Sequence, residues 1–397
     1  MLTNWFAQIV AVTAMNLRNI PERLGSSAVA LIGIAGVVTV VVGVLSIAEG
    51  FRAVLVQNGA EDVAIVLRGG ATDEMGSYFG QEEARIIADA EQLARDANGT
   101  IASAELYVIV EVPLQRTGTA ANVPLRGVGG NAADLRQGFE LTEGRMFTPG
   151  TSEIIVGRGA LAEFAGLELG SVVRSGQIDW RVVGHFQDAG SVAESEIWTD
   201  AAVLQGAYDR GTSYQSVRAK LTSPAALQAF QDAMTTDPRL NVRVFTEREY
   251  YEGLSQTLVA LVSTVGFIIA FLMGLGAIFA ALNTMYSAVS ARTREISTLR
   301  ALGFGAFPVT FSVLLEAVVI GLVGGVIGVA VAYLALNGLQ ASTLNFATFS
   351  QITFAFTVTP RLLVLGLIYA LALGLLGGLL PGLRAARLPI VTGLREL

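Results

Sequence analysis

The chain reads as an α-helical membrane protein with four transmembrane helices and a mixed α/β extracytoplasmic domain inserted between the first and second. Three observations predict this. Hydrophobic residues make up 52% of the 397 positions and charged residues only 15%, with a mean hydropathy of +0.57, whereas soluble domains carry roughly 25% charge. The apolar residues gather in four long blocks rather than spreading through the chain. Charge is segregated as well: residues 49–256 hold 29 acidic and 17 basic residues, the remainder 4 and 9.

Taken in order, residues 1–25 carry Trp5, Phe6, Ile9, Val12 and Leu17 and read as an amphipathic helix lying in the membrane interface, ended by Pro21. Residues 26–48 form the first span, because Ser26–Ala48 is 23 residues without a charge. At ~1.5 Å per residue that helix is about 34 Å long, enough for a ~30 Å bilayer core. A signal peptide cleaved near Ser46-Ile-Ala48 is the alternative, but its apolar core would be shorter and nearer the start. Residues 49–256 form the external domain, with Glu49–Asn58 and Thr246–Gln256 expected to carry the flanking helices outward as a stalk. The second span is 257–286, within an uncharged run from Gly253 to Ala291. A loop follows at 287–308, then a third span at 309–339 interrupted only by Glu316. A short external loop at 340–361 leads to the fourth span, 362–383, and a tail, 384–397.

Orientation follows from the bases. Arg18 and Arg23 precede the first span, Arg292, Arg294 and Arg300 separate the second from the third, and Arg384, Arg387 and Arg395 follow the fourth. Short basic segments stay on the cytoplasmic side. Both termini and the 287–308 loop are therefore expected on the cytoplasmic side, with the acidic domain outside. That acidity also argues against nucleic acid as a partner.

Within the external domain, strand patterns occur at Val63–Leu67, Leu106–Leu114, Val123–Val128, Glu153–Val156, Trp180–Phe186, Glu196–Thr199, Ser216–Leu221 and Val242–Phe245. Helical spacing marks Glu82–Ala97, Pro224–Thr235 and, more weakly, Arg158–Ala165. Catalytic signatures are missing. Cysteine is absent, His185 is the one histidine, and Lys220, the one lysine, lies in Val217–Thr222 rather than in a Gly-Lys-Ser/Thr phosphate loop. His185 reads as structural. Asp188, Glu194 and Glu196 match no calcium loop and read as a solvated face.

The most informative run is Asn283-Thr-Met-Tyr-Ser-Ala-Val-Ser-Ala-Arg-Thr-Arg-Glu-Ile-Ser-Thr-Leu-Arg-Ala-Leu-Gly303. Ile296, Leu299 and Leu302 recur near helical spacing, so a short amphipathic helix at the membrane surface fits, as does an ordinary basic loop. Asn283 and Glu316 are the polar residues of the spans that draw attention. Glu316 lies about 10 Å in from Val309 by helical rise. Intramembrane charge is expensive, and a bond to another helix or an interfacial arginine is favoured over substrate contact. Gly321, Gly324, Gly325 and Gly328, and Gly374 with Gly378, supply small-xxx-small pairs for close helix packing.

The 283–303 run resembles the segment after the second transmembrane helix of MacB/FtsX-type (type VII) ABC transporter permeases, whose pattern is N-x-x-x-x-x-V-x-x-R-x-R-E-I-x-x-L-R-A-L-G. Asn283, Val289, Arg292, Arg294, Glu295, Ile296, Leu299, Arg300, Ala301, Leu302 and Gly303 match it. Leu314-Leu-Glu-Ala317 with Gly324-Gly-x-x-Gly328, and Pro381-Gly-Leu-Arg-Ala-Ala-Arg-Leu388 with Leu394-Arg395, resemble the family's third helix and tail. Gly144-Arg145, Val156-Gly157 and Gly170 resemble its periplasmic domain. The tail departs from the family's R-L-D-P-V, reading Arg387-Leu-Pro-Ile-Val391.

The resemblance implies a non-catalytic permease whose coupling helix docks on a separate cytoplasmic ATPase dimer. The coupling residues would be Arg292, Arg294, Glu295, Ile296, Leu299, Arg300 and Gly303, with Arg384, Arg387 and Arg395 docking the tail. No cofactor would be bound by this chain, ATP and Mg belonging to the ATPase. Pairing with a second copy or a homologous permease is expected, as is a periplasmic adaptor. Efflux is the leading expectation for function. Lipoprotein release of the Lol type, or a receptor or scaffold without an ATPase, are the alternatives. On this reading Glu295→Lys or Arg300→Glu would uncouple ATPase stimulation without disturbing folding or insertion.

Overall fold

The computed structural model describes residues 8–10, 12–13, 24–54, 59–97, 99–345 and 350–390. The chain divides into two compact units, one of 1–49, 261–339 and 356–397, the other of 50–260 and 340–355.

Among the described residues, four helices are long and apolar enough to cross a membrane: α1 (Leu24–Arg52), α6 (Glu247–Ala291), α8 (Ala306–Leu336) and α9 (Pro360–Ala386). α1 and α6 run past the apolar stretches into residues 49–52 and 247–256, so the helices continue beyond the uncharged sequence. Thr359 caps α9 by accepting from the Leu362 N–H, with Pro360 in the first turn. In the helical unit, Ile34, Val38, Val42, Ala332, Ala370 and Leu373 form one buried cluster. α6 faces outward with Phe267 72% and Phe279 69% exposed. An apolar face of that size needs lipid or another protein surface against it.

The other unit carries a mixed sheet in the order β12-β1-β11-β4-β5-β10-β7-β9-β6, with β8 paired to β9. Its strands are β1 (Val63–Arg68), β4 (Ala102–Pro113), β5 (Ala120–Val128), β6 (Phe139–Gly144), β7 (Glu153–Gly157), β8 (Val172–Ser175), β9 (Ile178–Asp188), β10 (Ile197–Asp200), β11 (Ser216–Lys220) and β12 (Val242–Thr246). α2 (Gln81–Ala88) and α5 (Leu227–Thr236) cover the β12-β1-β11 end, burying Ile87, Phe230 and Met234. α3 (Arg158–Glu163) and α4 (Ala201–Ala207) cover the middle, around Phe164, Trp180 and Leu204. Near β6, Phe139 stacks on Phe186 and Trp198 with centroids 5.3 and 5.4 Å apart, and the Phe186 and Trp198 rings meet tilted at 4.6 Å.

Three features differ from the sequence expectations. The helix expected over 82–97 stops at Ala88, capped by Asp89. Beyond it, Leu93 bridges Leu221, the Ala94 N–H donates to the Lys220 carbonyl, and a small hairpin of β2 (Arg95–Asp96) and β3 (Gly99–Thr100) follows. Pairing with the sheet outweighs local helix propensity there. β6, β8 and α4 have no counterpart in the sequence reading, since β6 is an exposed edge without clean alternation. The connection at 340–361 is not a simple loop. It forms a hairpin of β13 (Gln340–Asn345) and β14 (Ser350–Ala355) that belongs to the sheet-bearing unit. Ser342 Oγ donates to Glu163, the Thr353 N–H donates to Ser195 Oγ at 3.1 Å, and Phe354 packs edge-on against Phe51.

Candidate functional site

The 283–303 run breaks into two helices at Arg292, whose φ of −109° and ψ of 11° end α6 and precede α7 (Thr293–Ala301). At its far end α7 closes in a Schellman turn. The Phe304 N–H donates to the Leu299 carbonyl and the Gly303 N–H to the Arg300 carbonyl. Gly303 has a φ of +93°, a left-handed conformation that glycine adopts without steric cost. The motif's glycine therefore sets where α7 stops and α8 begins.

Around α7 the residues divide by direction. Arg292 and Glu316 are buried and form a bidentate pair, Nη1 to Oε2 at 3.0 Å and Nη2 to Oε1 at 3.2 Å. Ile296 is buried with Met285, Val289, Val309 and Val313. Val12 is buried against this region, and Ile9 is half-buried. Trp5, Phe6, Leu17 and Pro21 of the leader lie outside the described residues. Arg294, Glu295 and Thr298 are exposed. Leu299 and Arg300 are half-buried, and Arg300 Nη1 donates to the carbonyls of Ala386 and Leu388 at the C-terminal end of α9.

Several expectations change here. Leu302 does not join the packed face of an amphipathic helix. It is the cap residue after α7 and is 73% exposed. Arg292 and Arg300 both turn inward onto this chain, so Arg300→Glu would break an internal bond and is not a clean probe of docking. Asn283 is exposed on α6. Arg384 and Arg387 are exposed, Arg384 lying 5.3 Å over the Tyr286 ring; Arg395 lies outside the described residues.

The small residues sit where backbones approach. A Cβ on Gly328 would lie 2.5 Å from the Ala35 carbonyl oxygen, and one on Gly324 2.9 Å from that of Leu31, so α1 rests directly on α8. Gly321 meets Ala370 and Gly374, Gly325 meets Ala370, and Gly374 and Gly378 meet Ala317, which closes α8 on α9. Thr39 Oγ1 adds a bond to the Gly328 carbonyl at 3.0 Å.

In the sheet-bearing unit the acids read as a solvated face are buried instead. Glu194 accepts from the Asp188 and Gly190 N–H groups and pairs with Arg158. Glu196 takes both the Arg126 guanidinium and the Trp198 indole N–H. Asp188 accepts from Ser191 Oγ and the Gly138 N–H, and burial pushes its carboxyl up. Donors supplied by the fold remove the need for water. His185 is also buried, its Nδ1 3.1 Å from Glu143 and its Nε2 2.9 Å from the Leu167 carbonyl. Among the described residues no group of three or more His, Cys, Asp or Glu is placed to hold a metal ion.

Sequence reasoning missed a buried ionic cluster. Arg126 on β5 bonds Glu74, Glu105 and Glu196 at 2.7 to 2.9 Å. Arg136 also bonds Glu105, and Arg218 on β11 pairs with Glu105 and with Glu247 at the start of α6. Arg218 further donates to the Tyr251 hydroxyl at 2.9 Å, and the Ala60 N–H donates to Glu247 at 3.1 Å. Burial raises the carboxyls of Glu74 and Glu105, but the surrounding guanidiniums, Arg126 and Arg218 for Glu74 and Arg136 with both for Glu105, hold each at about 2. The available signal was a lone charge inside an apolar strand run, as at Arg126 and Arg218.

Comparison with known proteins now bears on the fold and the helix break together. Residues 27–237 match the MacB-like periplasmic core domain, and residues 267–390 match the FtsX-like permease C-terminal domain. The chain belongs to the MacB/FtsX-type ABC transporter permease family. It is 27% identical to the macrolide export ATP-binding/permease protein MacB 1/2 of Paracoccus denitrificans, over 98% of this chain and 58% of that protein. It is 25% identical to the MacB of Bordetella avium, over 97% of this chain and 59% of that one. The chain thus spans less than two thirds of these relatives. The solved periplasmic region of MacB from Actinobacillus actinomycetemcomitans aligns over 51% of this chain and 94% of its own, at 14% identity and a TM-score of 0.38. As a member of this family the chain is a transporter permease with an extracytoplasmic domain.

Proposed function

We propose that this permease couples ATP hydrolysis by a cytoplasmic ATPase dimer to movement of its extracytoplasmic domain, and that it works in efflux with a periplasmic adaptor. The observation that carries the reading is α7: a short helix held against the other helices by its inward residues while Arg294, Glu295 and Thr298 face outward. ATP and Mg would be held by the ATPase, and Lys220, half-buried at the end of β11, lies outside any Gly-Lys-Ser/Thr phosphate loop. Two copies of the chain are expected, because four helices enclose little and the outward face of α6 is strongly apolar. Both termini and α7 lie in the cytoplasm of the inner membrane on this reading. The relatives named above are macrolide exporters, and on this reading macrolides are the first compounds to test as cargo.

Support for mechanical transmission comes from the two ends of α6. Its first turns are tied to the sheet by the Glu247–Arg218 pair and the Tyr251 hydroxyl, and its last turn leads directly into α7. The test is the tagged permease pulled from native membranes in mild detergent. A stoichiometric P-loop ATPase is expected with the wild type, and Glu295→Lys, which reverses an exposed charge, should release it while membrane insertion is retained. Wild-type protein that brings down no ATPase would favour a receptor or scaffold.

A further inference from the structure

We propose that Arg292 and Arg300 are positioning residues that clamp the two ends of α7 to α8 and α9, leaving Arg294, Glu295 and Thr298 as the partner-facing set. The inference rests on the coupling reading above and deepens it, since it reassigns two of the motif's three arginines. Each clamp has its own geometry. At the N-terminal end, both terminal nitrogens of Arg292 meet both carboxylate oxygens of Glu316, and each side chain is only 5% exposed. A carboxylate inside a span is costly alone and tolerable when a guanidinium satisfies both oxygens. Arg292 is also the residue at which the helix breaks, so the pair fixes the point about which α6 turns into α7.

At the other end, Arg300 reaches the carbonyls of Ala386 and Leu388. The last carbonyls of a helix have no intrahelical partner and carry partial negative charge, which a cation satisfies. Ile296 and Ser297, between the clamps, are buried and complete the inward side. With both ends fixed, a displacement of α7 carries α8 and α9 with it. Lysine at 292 would keep the charge but lose the two-pronged fit.

The experiment uses the permease co-purified with its ATPase and placed in nanodiscs. Glu316→Gln, Arg292→Lys and Arg300→Gln should each retain the ATPase at wild-type stoichiometry while permease-dependent stimulation of ATP hydrolysis is lost. The exchange Arg292→Glu with Glu316→Arg should restore it. A second readout does not need the ATPase. The chain has no native cysteine, so spin labels at Thr298→Cys and Leu322→Cys report only on the intended pair. Their distance distribution should be narrow in the parent and broad in Glu316→Gln. Full stimulation with an unchanged distribution would overturn the proposal. So would loss of ATPase binding in Arg292→Lys with the distribution still narrow, which would make Arg292 a contact. Should Glu316→Gln fail to insert, Arg292→Lys and Arg300→Gln carry the same readouts. If wild-type protein retains no ATPase, the coupling reading fails while the spin labels still decide the clamp.

Discussion

Taking Glu105 away would leave Arg126, Arg136 and Arg218 crowded together below the surface with too little negative charge around them. Breaking a buried pair in this way typically costs about 3–5 kcal/mol, so Glu105→Ala should lower the thermal midpoint of the intact chain in detergent by several degrees. Emission from Trp198, which sits against Arg136 in this region, would report it. The same cluster sets an acid limit. Glu74 and Glu105 are held near 2 in the fold against roughly 4.3 for an unfolded glutamate. Their contribution is complete above that unfolded value and disappears as pH falls toward 2. Asp188 works the other way, because its raised carboxyl is relieved by protonation. Loss of the folded Trp198 signal between about pH 4.5 and 2 is expected, and Glu105→Gln should shift its onset upward. Little of this was legible in sequence. Arg126 and Arg218 stand out there only as lone charges inside apolar strand runs, and only the pairing of β4 with β5 and β11 brings their partners to them.

At the scale of elements, α1, α8 and α9 pack through close backbone approach at small residues as well as through their buried side chains. Gly328→Val would drive a side chain into the Ala35 carbonyl, whereas a Cβ on Gly33 meets nothing within 4 Å. Overpacking of this kind costs about 1–3 kcal/mol, so Gly328→Val should reduce the yield of monodisperse protein and its melting temperature, and Gly33→Ala should not. An equal effect at both positions would contradict the packing account. Strand and helix patterns in the sequence located most elements, because alternation and long uncharged runs report burial directly. The β13–β14 hairpin escaped notice although Ile352, Phe354 and Phe356 alternate, since it lies between two spans where a loop is the simplest reading. α7 was visible from its spacing, but its direction was not. Leu302 looked inward and faces out, while Arg292 looked outward and faces in, because the turn at Gly303 and the position of Glu316 decide both.

For the whole molecule, the central claim is that α7 meets an ATPase through its outward residues. A photo-crosslinking amino acid placed at Thr298, which is exposed, and separately at Ser297, which is 1% exposed, distinguishes the two sides of one helix. Irradiated in intact cells, the Thr298 variant should form an adduct with a P-loop ATPase and the Ser297 variant should not. No ATPase adduct at Thr298, or equal adducts at the two positions, would contradict the account.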